Sequence, residues 1–205
     1  MKHEPLFRGS AVALVTPLRG GKVDVEALRR LVEMHVDNGT AAIVACGTTG
    51  EPATLTPDER ELVIREVVAA ARGRVPVICG TGSNCTQTVI DTEHRYRNLG
   101  CVAQLVVTPY YNKTTQEGLY AHFMAIAEHT ELPIVLYNVP GRTGLDIAPE
   151  TIDRLADDSH ICFLAWFEQL QRVNRYRMGE MPMRFTQLLV GRKHQPHLAV
   201  HSQNR

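Results

Sequence analysis

The chain has 205 residues, 44% hydrophobic and 21% charged, the makeup of a globular protein of one or two domains able to bury a core. Lys+Arg and Asp+Glu both number 22, so the formal charge is zero and neither nucleic acid nor an anionic membrane is an expected partner. No run of roughly 18 apolar residues offers a membrane span, Met1-Lys2-His3-Glu4-Pro5 lacks the apolar stretch of a signal peptide, and Cys46, Cys79, Cys85, Cys101 and Cys162 form no Cys-x-x-Cys pair, so a reduced cytoplasmic setting is expected.

Phe7 to Val15 is an apolar segment closed by Thr16-Pro17 and predicts a first strand. After a turn at Gly20-Gly21, Asp24 caps a helix whose apolar positions Val25, Leu28, Leu31, Val32 and Val36 keep helical spacing until Asn38-Gly39. Ala41 to Cys46 is apolar on both faces, as a parallel strand between helices is, and stops in Gly47-Thr48-Thr49-Gly50-Glu51. Those glycines permit a tight turn with two hydroxyls at the strand's carboxyl end, where a threonine serves equally well as an ordinary helix cap.

Thr56-Pro57-Asp58-Glu59 opens the next helix, which runs to about Ala71. Val75 to Cys79 predicts a third strand, Thr86 to Leu99 a helix, Gln104 to Val107 a fourth strand, Gln116 to Thr130 a helix, Pro133 to Tyr137 a fifth strand and Pro149 to Ala156 a helix. Strand and helix alternate strictly. This predicts a parallel sheet with helices outside it, either doubly wound or closed into a barrel. Gly80-Thr81-Gly82-Ser83-Asn84-Cys85 begins like a dinucleotide fingerprint but has Cys85 where the third glycine belongs. No Gly-Lys-Ser/Thr phosphate loop occurs, and no cofactor is expected; nor is there a Gly-x-Ser-x-Gly elbow for a serine hydrolase.

Three strand ends carry unusual polar groups: Thr48-Thr49, Tyr110-Tyr111-Asn112, and Tyr137-Asn138 followed by Pro140-Gly141-Arg142-Thr143-Gly144. In a barrel such loops meet at one mouth. A tyrosine hydroxyl linked through a threonine to a second tyrosine can pass a proton, and Thr48, Tyr111 and Tyr137 supply those parts. Arg142 offers a planar fork for a carboxylate. Each has an ordinary structural alternative, since strand-end tyrosines straddle core and solvent and loop arginines are commonly solvated.

Gly47-Thr48-Thr49-Gly50-Glu51, Thr108-Pro109-Tyr110-Tyr111-Asn112, Gln116-Glu117-Gly118-Leu119-Tyr120 and Leu136-Tyr137-Asn138-Val139-Pro140-Gly141-Arg142-Thr143-Gly144 resemble the motifs of the 4-hydroxy-tetrahydrodipicolinate synthase family. The resemblance covers Phe7 to Ala156. It implies a (β/α)8 barrel, here incomplete at five to six units, and usually a homotetramer. It also implies a condensation of pyruvate, held as a Schiff base on lysine, with L-aspartate 4-semialdehyde, on the diaminopimelate route to lysine. On that resemblance Thr48, Tyr111 and Tyr137 form the proton relay, with Tyr111 reaching a neighbouring subunit's site. Thr49 takes the pyruvate carboxylate and Arg142 that of the semialdehyde. Sialic acid lyases share the barrel and a similar glycine-threonine stretch, but the arginine after Asn138-Val139-Pro140 favours the synthase. Asn84 and Tyr110 match the family's lysine-feedback site whereas Pro57, Arg60 and Thr88 do not, so feedback inhibition is not expected.

The pattern breaks after about residue 158. The family's sixth strand ends in the Schiff-base lysine, and here Ala165 stands near that position in Ile161-Cys162-Phe163-Leu164-Ala165-Trp166-Phe167. The chain's lysines are Lys2, Lys22, Lys113 and Lys193, none at a strand end where desolvation would favour a neutral amine. Leu170-Gln171-Arg172-Val173-Asn174 resembles the family briefly and Arg175 to Arg205 does not. The expected organisation is therefore a partial barrel over 1–158 and an anomalous, irregular segment over 159–205, from a truncated or frameshifted gene. Such a synthase-family chain is expected to be inactive as written; the alternatives are a catalytically silent keto-acid-binding module or another pyruvate aldolase of the same superfamily. His194, His197 and His201 could suggest a metal, but Pro196 interrupts the helix that would present them, and no metal is expected.

Overall fold

A computed structural model describes residues 6–166. Six strands form one sheet: β1 (Ala11–Ala13), β2 (Ala42–Ala45), β3 (Val77–Gly80), β4 (Ala103–Val107), β5 (Ile134–Asn138) and β6 (Ile161–Trp166). Each pairs in parallel with the strand next in sequence, so spatial order equals chain order. A doubly wound sheet reverses its strand order at a switch point, and this sheet does not. The topology is that of an arc of a (β/α) barrel, five strand-helix units and a sixth strand among the described residues. β6 lies beyond residue 158, so the sheet continues into the segment set apart by the sequence.

The helices fill the crossovers: α1 (Val25–Asp37), α2 (Pro57–Ala71), α3 (Thr86–Tyr96), α4 (Gln116–His129) and α5 (Pro149–Leu155). Side-chain alternation along the strands divides the core. Ile43 and Ala45 of β2 pack outward with Leu28 and Val32 of α1 and with Val63, Ile64 and Val67 of α2. Further round, Leu136 and Ile134 meet Phe123 and Ile126 of α4 and Ile152 of α5. The residues between them in sequence, Ala42, Val44, Ile78, Ala103, Leu105, Val135 and Tyr137, gather on the opposite, concave face. A run apolar on both faces is what this double burial requires.

The helix starts follow the expected chemistry. Asp24 accepts from the Ala27 N–H at 3.0 Å, Thr56 and Glu59 form a reciprocal capping box, and Thr115 accepts from the Gly118 N–H at 3.1 Å. Three details differ from the sequence reading. The first strand pairs only over Ala11–Ala13, with β2 as its neighbour among the described residues. Gly20-Gly21 closes a small antiparallel hairpin between Leu18–Arg19 and Lys22–Val23. The helix through Thr86 changes to a 3-10 turn at Arg97–Leu99 before left-handed Gly100 ends it. Lys2, Leu170 to Asn174, the run Phe185 to Val190, Lys193 and His194, His197 and His201 lie outside the described residues.

Candidate active site

Because all six strands run the same way, the segments after β2, β3, β4 and β5 emerge at one edge of the sheet. After β2 the chain makes a 3-10 turn over Thr48–Gly50, entered through Cys46 at φ 54° and left through Glu51 at φ 53°. The Thr16 hydroxyl, just beyond β1, donates to the Gly50 carbonyl at 2.8 Å and fixes the turn from the neighbouring strand. A Cβ at Gly47 would stand 3.2 Å from Val44 and 3.8 Å from Leu105, both members of the concave cluster that includes Tyr137. The Thr48-Thr49 turn therefore sits on the concave side.

The Gly80–Cys85 segment has a packing role in place of the phosphate contact its glycines suggest. A Cβ at Gly80 would stand 2.1 Å from the Cys46 carbonyl oxygen and one at Gly82 would stand 2.6 Å from the Val107 nitrogen. Only glycine lets this loop lie between the ends of β2 and β4. Asn112 then donates to the Asn84 carbonyl at 3.1 Å, joining it to the loop after β4.

That loop carries Tyr110 and Tyr111. Tyr111 is 91% exposed, with φ 66°, and Lys113 follows at φ 45°. Among the described residues, four of the five left-handed residues other than glycine, Cys46, Glu51, Tyr111 and Lys113, thus lie in the two loops that hold candidate site residues. Such conformations cost on the order of 1 kcal/mol each and concentrate where geometry serves function. Tyr137 is the opposite case: 8% exposed, it lies on the concave face with Leu105, Val135 and Val139. The Thr108 N–H donates to its carbonyl at 3.3 Å, which places the start of the tyrosine loop beside it.

Arg142 is exposed on a helical turn, Pro140–Thr143, ended by left-handed Gly144, where the sequence suggested an open loop. Its base is rigid. Buried Asn138 donates to the Asp146 carboxylate at 2.7 Å and accepts from the Ile147 N–H at 3.3 Å, while Thr143 bonds the Val139 and Leu145 carbonyls. Gln116, at the start of α4, donates to the Asp146 carbonyl and accepts from the Ala148 N–H and the Thr151 hydroxyl.

The candidate residues thus share one edge: Thr48 and Thr49 on one loop, Tyr111 on a second, Tyr137 and Arg142 on a third. The side chains of Thr48, Thr49, Tyr111 and Arg142 make no hydrogen bond to any described residue. Unspent polar groups held on rigid loops at strand ends are what a small polar ligand needs. Thr16, Gln116 and Asn138 act behind them; the sequence showed Gln116 and Asn138 as members of motifs without a role and Thr16 only as the end of a strand. Thr108 adds a buried hydroxyl without a partner among the described residues. No group of three metal-ligating side chains occurs among those residues. Cys46, next to the threonine turn, is no nucleophile: burial pushes its thiol up to about 12.

Across β5 and β6 the register pairs Val135 with Phe163, one step after Ile134 with Ile161. The slip makes Ala165, rather than Leu164, the register partner of Tyr137. An alanine there brings no amine. Of the lysines that the structure describes, Lys22 lies in the hairpin and Lys113 in the tyrosine loop, both exposed.

Comparison with known proteins agrees with this architecture. A 4-hydroxy-tetrahydrodipicolinate synthase of Alcanivorax borkumensis is 59% identical over 152 residues, covering 74% of this chain and 52% of the relative. The one from Geotalea uraniireducens is 54% identical over 156 residues, covering 76% and 54%. The crystal structure of the chloride-inhibited dihydrodipicolinate synthase from Acinetobacter baumannii complexed with pyruvate superposes with a TM-score of 0.75 at 52% identity, covering 77% of this chain and 55% of that one. The chain spans about half the length of the relatives it matches. The sequence model of the Dihydrodipicolinate synthetase family matches residues 6–166, the six-stranded arc and all of its mouth, and the chain belongs to that family.

Proposed function

We propose that the strand-end loops form the substrate site of a 4-hydroxy-tetrahydrodipicolinate synthase, a lyase of lysine and diaminopimelate biosynthesis. Such a site joins pyruvate to L-aspartate 4-semialdehyde. Thr49 hydrogen-bonds the pyruvate carboxylate and Arg142 holds the semialdehyde's carboxylate through its two-pronged guanidinium. Tyr137 and Tyr111, with Thr48 between them, move the proton. Tyr111, pointing into solvent in the single chain, completes the relay of a second copy in a cytoplasmic homo-oligomer. The observation that supports the reading best is the gathering of Thr48, Thr49, Tyr111 and Arg142 at one sheet edge with their polar groups unspent, beside Tyr137.

The reaction needs an amine that attacks the pyruvate carbonyl, loses water and forms an imine. Ala165, opposite Tyr137, cannot do this, and Lys113 is exposed where a Schiff-base lysine needs partial desolvation. The reading for the chain as written is therefore keto-acid binding without condensation. Borohydride reduction in the presence of pyruvate tests it. Saturable pyruvate binding with no adduct is the expected result, and an adduct on Lys113 would overturn the inactivity. Cleavage of a sugar acid that is indifferent to Arg142→Ala would point to another aldolase of the superfamily. Absence of any pyruvate binding would overturn the site itself.

A further inference from the structure

Most lysines and arginines among the described residues are spent in ion pairs. Nine arginines (Arg19, Arg29, Arg30, Arg65, Arg72, Arg74, Arg95, Arg97 and Arg154) are in ion pairs with carboxylates among the described residues. Arg8, Lys22, Arg60, Lys113 and Arg142 have no such partner there, and of these the fold brings Lys113 and Arg142 from separate loops to one turn. A Cβ at Gly144, which caps the Arg142 turn, would stand 3.0 Å from Lys113 Cε and 3.2 Å from Lys113 Nζ. The lysine stem and its ammonium therefore lie against Gly144, which follows Arg142 by two positions in the chain.

This placement is held against backbone cost. Lys113 and Tyr111 are both left-handed, and the curl between them is closed by the Asn112 N–H donating to the Tyr110 carbonyl at 2.8 Å. Asn112 also anchors the curl to Asn84, and Thr115 caps α4 directly after it. A freely solvated lysine needs none of this. Gly144 has φ 65°, so the turn leaves the space beside the stem open while its own backbone remains unstrained.

We propose that Lys113 is a specificity-determining residue, the second cation of a two-point rim that, with Arg142, holds the carboxylate of the second substrate. This rests on the reading of the strand ends as a keto-acid site. Arg142 contributes the directional fork and Lys113 a mobile point charge from the facing loop, so one carboxylate is held from both sides. The rim favours acceptors that carry a carboxylate at the end remote from the reacting carbon, and it leaves pyruvate, on the threonine turn, unaffected.

Titration calorimetry on the full chain, with pyruvate alone and with succinate at saturating pyruvate, tests the assignment. Succinate carries the carboxylate but no aldehyde to react with amines. Lys113→Met keeps the stem against Gly144 and removes the charge, and exposure of Lys113 means the fold is not at stake. The variant should bind succinate about fivefold more weakly and with a shallower salt dependence, while its pyruvate affinity stays unchanged. Lys113→Arg should restore succinate binding. Unchanged succinate affinity in Lys113→Met, with pyruvate still bound, would overturn the role of Lys113 alone. If the unaltered chain binds no pyruvate, the site reading fails and this assignment with it.

Discussion

Tyr137 and Ala165 are register partners across β5 and β6, so the buried tyrosine of the concave face stands opposite an alanine at the end of the last described strand. If that is where an imine-forming amine belongs, Ala165→Lys should supply it. The variant, unlike the parent chain, should be trapped covalently by borohydride with pyruvate, and peptide mapping should find the adduct at position 165. Trapping should weaken on Tyr137→Phe, which removes the neighbouring hydroxyl and leaves the ring. No adduct in Ala165→Lys would contradict the assignment of this mouth to Schiff-base chemistry.

Asn138 and Asp146 decide how firmly Arg142 is held. Asn138→Ala removes the donor to the Asp146 carboxylate and strands the Ile147 N–H, which is buried. A loss of about 1–3 kcal/mol of stability is expected, measured by urea unfolding. Asn138→Asp should cost more at neutral pH, because it sets two carboxylates against each other, and part of that loss should return on acidification. Either change should weaken carboxylate binding at Arg142 more than pyruvate binding.

The order of the elements and the clustering of the strand-end motifs were legible in the sequence because parallel strands buried on both faces leave no polar alternation and their helices announce themselves with caps. Ile43 and Val44 point to opposite sides of the sheet, yet both are buried. The choice between doubly wound sheet and barrel was not legible from periodicity, since it depends on which strands are neighbours, and only pairing shows that. The contact of Lys113 with Gly144 was equally hidden. It joins loops 31 residues apart through a left-handed lysine, a conformation that side-chain propensity disfavours. Thr16 was read only as the end of a strand, whereas its hydroxyl secures the threonine turn through a bond spanning 34 residues.

The thiols should differ sharply in reactivity. Cys85 is exposed at the start of α3, where the Thr88 hydroxyl and N–H, with help from the Gln87 N–H, hold its thiol below the ordinary value. Cys46 is pushed up to about 12 by burial, and Cys79 is raised well above its usual value by its hydrogen bond with Cys101 and by burial. Iodoacetamide at neutral pH should therefore label Cys85 first among these, and labelling of Cys46 and Cys79 should wait for unfolding. Rapid modification of native Cys46 would mean that the threonine turn opens far more readily than its bond to Thr16 implies.

His122 makes the acid stability of the fold measurable at one residue. Its ring is 6% exposed on the inner side of α4, with Nδ1 2.9 Å from the Thr86 hydroxyl and Nε2 buried without a partner among the described residues. Burial lowers its pKa to about 4, against 6.5 unperturbed. The unfolded chain therefore binds this proton more tightly than the folded one, so the contribution is fully present above pH 6.5 and is lost as pH falls towards 4. Over that window the loss should approach about 3 kcal/mol. The carboxylates of Glu33 and Glu117, held low by arginines, also lose stability on acidification, so the two effects need separating. His122→Leu does this. It gives up the Thr86 bond, at about 1 kcal/mol at neutral pH, but should flatten the slope of unfolding free energy between pH 6.5 and 4 relative to the parent. Parallel slopes in the two proteins would show that His122 reaches solvent and takes its proton without unfolding.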